Sequence, residues 1–358
     1  MKEYDMSDYI VSKVYSGDKK SNRLIDDLLS AEGIRRDNNL DYTCVVYDDE
    51  MNIIATGSCY ENTLRCMAVS RDHQGEGLMN TIVTHLMEVQ YARGNIHLFL
   101  YTKCESAKFF NDLGFSEIVR IENRLVFMEN RINGFSQYLK QLEKNAGHMA
   151  VSKNQTISGL VMNANPFTLG HLYLVEKAAS ESDLLHLFIV SEDASLIPFS
   201  VRKQLVYDGT AHIKNICCHD SGPYIISNAT FPSYFQKDSE DIITGHAMLD
   251  LTIFSKIAKT LDISVRYVGE EPNSQVTGIY NQIMLEELPK AGIECIVIPR
   301  KESDGAPISA STVRNAIKQH NIPLLTKLVP QTTLDYFLSD AAKSVIDKIQ
   351  AAENVIHY

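Results

Sequence analysis

Short apolar runs alternate with longer amphipathic stretches through the second half of the chain. The apolar runs predict strands and the amphipathic stretches predict helices, because the two elements differ in length and hydrophobic period. The predicted strands are residues 157–162, 185–191, 213–218, 264–269 and 293–298. The predicted helices are residues 170–180, 199–208, 239–260, 275–289 and 309–319. This alternation favours a parallel, doubly wound sheet, whose ligands bind outside the carboxyl ends of the strands.

The first half has a different pattern, in which strands follow one another before helices appear. Strands are predicted at residues 42–48, 52–58, 64–69, 96–101 and 119–127, and helices at residues 78–91 and 105–113. This order is typical of a mixed α+β domain.

A polar segment from Glu143 to Gln155 separates the two patterns. We therefore predict a first domain over residues 1–140, a linker over 141–155 and a second domain over 156–330. The remaining residues, 331–358, are predicted to form an amphipathic C-terminal helix from about Gln331 to Ile356.

Charge and cysteine content restrict the function classes. The net charge of −11 comes without a basic block, which disfavours nucleic acid and anionic membrane surfaces as partners. No apolar run is long enough to cross a bilayer, and the first residues lack the apolar core of a secretory signal. Seven cysteines without a CxxC pair indicate reduced thiols in a cytoplasmic protein. No metal site is expected, and Cys217, Cys218 and His219 are interpreted as a buried strand end.

The segment from Asn163 to His171 joins the first strand of the second domain to its first helix. Such a turn presents unpaired backbone N–H groups and the positive end of a helix dipole, which together bind phosphate. Gly170 allows a ligand to approach closely, while Thr168 and His171 offer a hydroxyl and a ring N–H. The alternative is a capping threonine beside a surface histidine.

A second hydroxyl-rich segment, Pro307 to Arg314, follows the last predicted strand and opens another helix. Ser309, Ser311 and Thr312 lie at its N-terminus and Arg314 one turn further on, an arrangement that suits an anion. The alternative is an N-cap serine followed by an exposed arginine.

Together the two segments resemble the nucleotidylyltransferase superfamily, which combines Thr/His-x-Gly-His with a later Ile-Ser-x-Ser/Thr-x-x-Arg/Lys. The resemblance implies a Rossmann-like domain. It would catalyse attack of an acceptor on the α-phosphorus of a nucleoside triphosphate, with release of pyrophosphate. In that reading His171 and Thr168 stabilise the α- and β-phosphates. The leaving pyrophosphate is bound by four residues of the second segment: Ser309, Ser311, Thr312 and Arg314. Mg²⁺ is expected on the phosphates.

Further segments narrow the resemblance. The runs NANPFTLGH, PFSVR, SNATFPSYF, VGEEP and PISASTVR occur in this order and resemble the citrate lyase ligase family over nearly the whole chain. That family activates acetate with ATP and acetylates the thiol on the citrate lyase acyl carrier subunit. The resemblance adds five residues to the expected nucleotide and phosphate site: Phe167, Gly170, Arg202, Gly269 and Glu270.

The first domain resembles the GNAT acetyltransferases. Gln74, Gly75 and Gly77 lie between a strand and a helix, as in the loop that binds coenzyme A in that family, and residues 107–115 resemble a second GNAT motif. Phe110 stands where a tyrosine often acts as general acid, which disfavours acetyl transfer from acetyl-CoA. We expect this GNAT-like α+β domain to bind the CoA-like prosthetic arm of the carrier protein.

Two other functions fit parts of the pattern. An adenylyltransferase would transfer AMP to a phosphorylated acceptor such as phosphopantetheine, and would release pyrophosphate only with that acceptor. A regulator that senses nucleotide and CoA would bind ATP without releasing pyrophosphate. No P-loop or complete GxGxxG motif is present to indicate another nucleotide cradle.

Overall fold

A computed structural model describes residues 9–147, 155–225, 231, 239–270 and 275–355. The chain divides into two compact units. The first holds the described residues up to 134 together with 239–245, and the second holds the other described residues.

The first unit is built on a seven-stranded sheet. Its strands are β1 (Val11–Val14), β2 (Tyr42–Tyr47), β3 (Ile53–Tyr60), β4 (Thr63–Val69), β5 (Phe99–Thr102), β6 (Ser116–Ile121) and β7 (Leu125–Glu129). Its helices are α1 (Lys19–Ala31), α2 (Leu78–Ala92) and α3 (Ala107–Asp112). The strand order is β1-β2-β3-β4-β5-β7-β6, and all neighbours are antiparallel except β4 and β5.

Strands β4 and β5 are parallel and pair only at Thr63 with Phe99 and Leu64 with Leu100. Beyond these pairs the two strands continue without further pairing between them, which leaves room for a cleft in the sheet. The core beside this cleft is apolar and includes the buried side chains Leu64, Leu100 and Phe110.

The sequence patterns missed β1 and α1, and the strand predicted over 119–127 is wrong. That segment is a hairpin of β6 and β7, in which Asn123 has a φ of 60° and the Arg124 N–H donates to the Ile121 carbonyl at 3.0 Å. An asparagine tolerates this left-handed backbone, so the turn needs no glycine or proline to mark it.

The second unit contains a five-stranded, wholly parallel sheet. Its strands are β8 (Ile157–Met162), β9 (Leu184–Ile189), β10 (Ile216–Asp220), β11 (Val265–Gly269) and β12 (Glu294–Ile298). Its helices are α4 (Gly134–Ala146), α5 (Leu169–Ser180), α6 (Phe199–Thr210), α7 (Ser239–Thr260, which crosses the division at residue 245), α8 (Gln275–Glu287), α9 (Ala310–Lys318), α10 (Ile322–Leu328), α11 (Gln331–Leu338) and α12 (Lys343–Ala351). Two short strands, β13 (Glu302–Ser303) and β14 (Ala306–Pro307), form a separate ribbon.

The order of the parallel sheet is β10-β9-β8-β11-β12. The chain therefore moves outward on one side of β8, through β9 and β10, and returns to the other side at β11. Such a reversal leaves a crevice beside the carboxyl ends of β8 and β11, where doubly wound folds bind ligands. The architecture of the predicted fold class is confirmed: a Rossmann-like α/β unit with a parallel sheet is preceded by an α+β unit with a mostly antiparallel sheet.

Two predicted boundaries are wrong. The linker expected over 141–155 begins inside α4, which continues to Ala146 because Leu142 is buried and extends its apolar face. Residues 148–154 lie outside the described residues. The single C-terminal helix is divided into α11 and α12, because Ser339 is extended (φ −90°, ψ 160°) and interrupts the helix.

All seven cysteines lie in the described part of the chain as free thiols. Among the helices described, none combines the length and apolarity that a membrane crossing requires.

Candidate active site

A cavity of about 190 Å³ lies at the carboxyl ends of β8, β11 and β12. Residues from four segments line it: Thr168 to Leu174 at the start of α5, Gly269 after β11, Ile298 to Lys301 after β12, and Ile308 to Ala310 at the start of α9. The N-termini of α5 and α9 therefore face one cavity, as the two hydroxyl-rich sequence segments predict. First-turn N–H groups have no partner within their helix, so both ends favour an anion.

Thr168 caps α5 and holds His171. Its hydroxyl accepts a hydrogen bond from the His171 backbone N–H at 3.2 Å, and its own backbone N–H donates to His171 Nδ1 at 3.1 Å. Thr168 Oγ1 is also 2.9 Å from Nδ1. Because a backbone N–H can only donate, Nδ1 is the acceptor and the proton of the neutral ring lies on Nε2. The capping interaction thus selects the tautomer whose donor is Nε2–H.

The imidazole of His171 is neutral at pH 7. Burial, with a smaller contribution from the positive charge of Arg300, lowers the pKa of His171 to about 4. A neutral ring that donates through Nε2 binds a phosphoryl oxygen as a hydrogen-bond donor, and gains further strength as negative charge develops there.

Gly170 permits the close packing of α5 against the segment before α9. A Cβ atom at Gly170 would lie 3.2 Å from the Ile308 carbonyl oxygen and 3.4 Å from Thr168 Oγ1. Larger side chains would therefore push the two helix N-termini apart.

Ser309 caps α9 and organises the neighbouring hydroxyls. Its Oγ accepts from the Thr312 N–H at 3.1 Å, and lies 2.9 Å from Ser311 Oγ and 2.7 Å from Thr312 Oγ1. Ser309 lines the cavity, while Ser311 and Thr312 are not among the described residues that do. Their contribution is to orient the Ser309 hydroxyl.

Two cationic residues of the cavity, Arg300 and Lys301, were missed by the sequence analysis. Arg300 is half-buried and its Nε donates to the Glu270 carbonyl at 2.8 Å, while Lys301 Nζ lies 5.8 Å from the centre of the Tyr173 ring. Their position directly after β12, at the ligand-binding end of the sheet, was a signal that could have identified them.

Of the two residues expected at the nucleotide site after β11, Gly269 and Glu270, the structure places one at the cavity. Gly269 ends β11 and lines the cavity, whereas the exposed Glu270 is not among the described lining residues. The backbone of Glu270 extends the pairing of β11 and β12, because its N–H donates to the Ile298 carbonyl at 2.9 Å.

The prediction that Arg202 reaches the phosphates is wrong. Its side chain is fully buried, and its guanidinium donates to the carbonyl oxygens of Ile197 (3.0 Å), Asn163 (2.7 Å), Val190 (2.8 Å) and Glu192. Burial lowers the pKa of Arg202 from its usual value. A guanidinium whose donors are directed at four backbone carbonyls clamps loops at the end of the sheet and is not positioned to bind a ligand.

Arg314 is also a structural residue, contrary to its predicted role with pyrophosphate. It is buried, its Nε donates to the Val355 carbonyl at 2.7 Å, and its Nη1 donates to the Asn165 carbonyl. Burial lowers its pKa to about 10. The side chain connects α9 to the C-terminal segment and to the loop before α5.

Phe167 contributes by packing. Its side chain is fully buried, and its ring lies nearly parallel to the His171 ring at 6.0 Å between centroids. Gly209 makes room for it, since a Cβ there would lie 2.5 Å from Phe167 Cε1. The ring therefore supports the face of His171, and Phe167 is not among the described residues that line the cavity.

The first unit carries its own cleft, of about 660 Å³, at the point where β4 and β5 separate. Gln74, Gly75 and Gly77 line it together with the first turn of α2, whose N-cap is Gly77 without a capping side chain. Gly75 and Gly77 have φ angles of 92° and 80°, which glycine adopts without strain. Phe110 also lines the cleft and offers no hydroxyl.

Comparison with known proteins supports one family. The family model described as the citrate lyase ligase C-terminal domain matches residues 157–337. A [citrate [pro-3S]-lyase] ligase of Haemophilus influenzae is 38% identical over 327 residues, which cover 90% of this chain and 96% of that protein. The Escherichia coli protein of the same name is 37% identical over 333 residues, covering 91% and 93% respectively.

A solved acetyltransferase of the GNAT family from Staphylococcus aureus is 16% identical, covers 34% of this chain and 100% of its own, and has a TM-score of 0.28. The two ligases named above match this chain over more than nine-tenths of their own length, and the family model matches residues 157–337. On both grounds, the chain belongs to the citrate lyase ligase family.

Proposed function

We propose that this protein is an ATP-dependent ligase that activates acetate as acetyl-AMP, releases pyrophosphate, and acetylates the thiol prosthetic group of the citrate lyase acyl carrier subunit. The relatives named [citrate [pro-3S]-lyase] ligase support the class of reaction and its protein target. The observation that carries the chemistry is the convergence of two helix N-termini, the His171 donor and two cations on one cavity.

In the first step an acetate oxygen attacks the α-phosphorus of ATP, and the bond to the bridging oxygen of pyrophosphate breaks. His171 Nε2–H donates to an α-phosphoryl oxygen, and its effect is largest in the transition state, where that oxygen carries more charge. Thr168 positions the ring through its two contacts with Nδ1.

The leaving pyrophosphate is assigned to the lining residues that follow β12 and begin α9. The N-terminus of α9 with Ser309, and the side chains of Arg300 and Lys301, provide donors and positive charge there. In this assignment Ser309 is kept from the predicted set, and Arg300 and Lys301 take the place of Arg314, which donates to backbone carbonyls.

The residues of this cavity fit Mg²⁺ only if the phosphates provide most of its ligands. None of the described residues that line it carries a carboxylate, the ligand that usually anchors Mg²⁺ to protein. When bound, the ion would neutralise phosphate charge. The side-chain oxygens among the described lining residues are the hydroxyls of Thr168, Tyr173 and Ser309.

In the second step the carrier thiol attacks the acetyl carbonyl carbon, the thioester forms, and AMP leaves with the oxygen that came from acetate. The thiol proton is lost to solvent or to a base. We assign the prosthetic arm to the cleft of the first unit, because the glycine loop and the N-terminus of α2 suit the phosphate of a CoA-like group.

The test is ATP–pyrophosphate exchange at matched Mg²⁺, with and without acetate. Acetate-dependent exchange in the absence of the carrier protein is the expected result. Exchange that requires a phosphorylated acceptor instead would establish the adenylyltransferase alternative, and ATP binding without any exchange would establish the regulator. A His171→Asn variant should lose exchange, while His212→Asn, which changes an exposed histidine paired with Glu176, serves as the matched control.

The placement of the prosthetic arm in the cleft of the first unit is tested by a separate experiment. Free coenzyme A should inhibit acetylation of the carrier thiol competitively and leave acetate-dependent exchange unchanged. Inhibition of both reactions to the same extent would place the arm at the ATP cavity and contradict the assignment.

A further inference from the structure

Three potential metal ligands meet on one face of the parallel sheet, away from the residues that line the ATP cavity. His186 on β9 lies opposite Cys217 on β10, and His219 follows two residues later on the same face. His186 Nδ1 is 2.9 Å from His219 Nε2, and ligand atoms of all three residues lie within 4.8 Å of one another.

Both imidazoles are suited to bind a metal. They are buried, with exposed fractions of 1% for His186 and 2% for His219, and Cys217 is half-buried. A neutral imidazole coordinates a metal through a ring nitrogen, and a nitrogen of each ring already lies at this cluster.

A purely structural role explains this placement poorly. The hydrogen bond between the two rings leaves His219 Nδ1 buried without a partner among the described residues. Two apolar side chains of the same shape would avoid that cost, because replacing both partners of a buried hydrogen bond is close to neutral. The neighbouring side chain is Phe188, whose ring stacks on His219 at 4.9 Å, so the surroundings are apolar.

We propose that His186, Cys217 and His219 form a site for one Zn²⁺ ion, with water as the fourth ligand. The residue types are those that zinc prefers, and bonds of about 2.0–2.1 Å to nitrogen and 2.3 Å to sulfur place tetrahedral ligand atoms roughly 3–4 Å apart. The ligand atoms lie within 4.8 Å of one another, so side-chain movements of about 1 Å would bring them to that spacing. Because Cys217 is half-buried, solvent can reach the fourth position.

The site would connect β10 to β9. In the described part of the parallel sheet β10 is an edge strand, and a metal bound to side chains of both strands fixes their register. Zinc binds the thiolate form of cysteine, so binding at Cys217 releases the thiol proton. This inference does not depend on the reaction proposed above.

The test uses the full chain after treatment with a chelator, with no ATP present. Zinc titration against a chromophoric chelator should give about one ion per chain, with release of about one proton. Cobalt in place of zinc should give a sulfur-to-cobalt charge-transfer absorption.

The matched pair of variants is Cys217→Ser and Cys218→Ser, since Cys218 lies on the opposite face of β10. Cys217→Ser should abolish the cobalt–sulfur band and weaken zinc binding at least about tenfold, while Cys218→Ser should change neither. At zinc concentrations about 100-fold above Kd, the melting temperature of the unmodified protein should rise by about 5–10 °C. Equal zinc affinity in both variants, or no binding, would overturn the proposal.

A measurement on the unmodified protein tests the zinc site even if the Cys217→Ser variant does not fold. Zinc should protect Cys217 from alkylation, followed by mass spectrometry of the peptide, with Cys295 of β12 as the internal reference. Alkylation of Cys217 at the same rate with and without zinc would also refute the site.

Discussion

Replacement of Arg202 by methionine separates a structural arginine from a ligand-binding one. The change removes hydrogen bonds to the carbonyls of Ile197, Asn163 and Val190 at 2.7–3.0 Å, besides the one to Glu192. Each bond from a charged donor contributes about 1.5–3 kcal/mol, and part of the sum is offset because a buried charge is also removed. We expect the free energy of unfolding to fall by about 3–5 kcal/mol, a large part of the 5–15 kcal/mol that is typical of a domain.

The assay is urea unfolding followed by circular dichroism, combined with ATP titration calorimetry on the folded protein. The neighbouring Lys203→Met is the control. Lys203 forms a partly exposed ion pair with Asp220 at 2.8 Å and lies 5.8 Å from the ring centres of Phe199 and Tyr207, so its loss should cost at most about 1 kcal/mol. The reasoning is refuted if Arg202→Met keeps the stability of the control but loses ATP affinity at least tenfold.

Three further outcomes follow from the same site. His171→Asn should lower kcat about 10²–10³-fold with little change in ATP affinity, since its donor acts mainly on the transition state; equal losses in both would contradict that role. Arg300→Met should raise KM for ATP more than it lowers stability, because Arg300 lines the cavity and is only half-buried; steady-state kinetics beside thermal melting checks this. In ligand-free protein, ¹⁵N NMR should show His171 neutral and protonated on Nε2 from pH 8 to 5, since its pKa is lowered to about 4; titration near 6.5 would contradict the burial argument.

Hydrophobic periodicity predicted the alternating strands and helices of the parallel sheet in the second unit, but not α10 or the division of the C-terminal helix. The strand at 157–162 and the helix at 239–260 have the predicted boundaries, and the central strands β8 and β9 are largely buried, as in a parallel sheet covered on both faces. The hairpin of β6 and β7 was not recognised, since its turn uses Asn123 in a left-handed conformation without glycine or proline.

The position of the site was predictable, but the direction of individual side chains was not. Thr168, His171 and Ser309 lie where helices begin, and the location of a helix start follows from sequence. Arg202 and Arg314 lie within helices, where spacing alone does not show whether a long side chain turns toward a cavity or toward backbone carbonyls. Arg202 was assigned to the ligand from the resemblance and Arg314 first from its position one turn into α9, but the structure directs both side chains to backbone carbonyls.

The cluster of His186, Cys217 and His219 shows another limit of predicting a site from sequence alone. The two strands are separated by more than twenty residues of sequence, and only the register of β9 against β10 brings His186 opposite Cys217. Spacing rules for metal motifs detect ligands that are near in sequence, so cross-strand sets of this kind are found only once the pairing is known.

The central claim is that an acetate oxygen attacks the α-phosphorus of ATP in the cavity between α5 and α9. Incubation of the protein with ¹⁸O-acetate, ATP, Mg²⁺ and the thiol form of the carrier, followed by mass spectrometry of the nucleotide, tests it directly. The account predicts one ¹⁸O atom in the AMP that is released, because the oxygen that bonds to phosphorus leaves with it. AMP without label, or label found in inorganic phosphate with ADP as the nucleotide product, would contradict it.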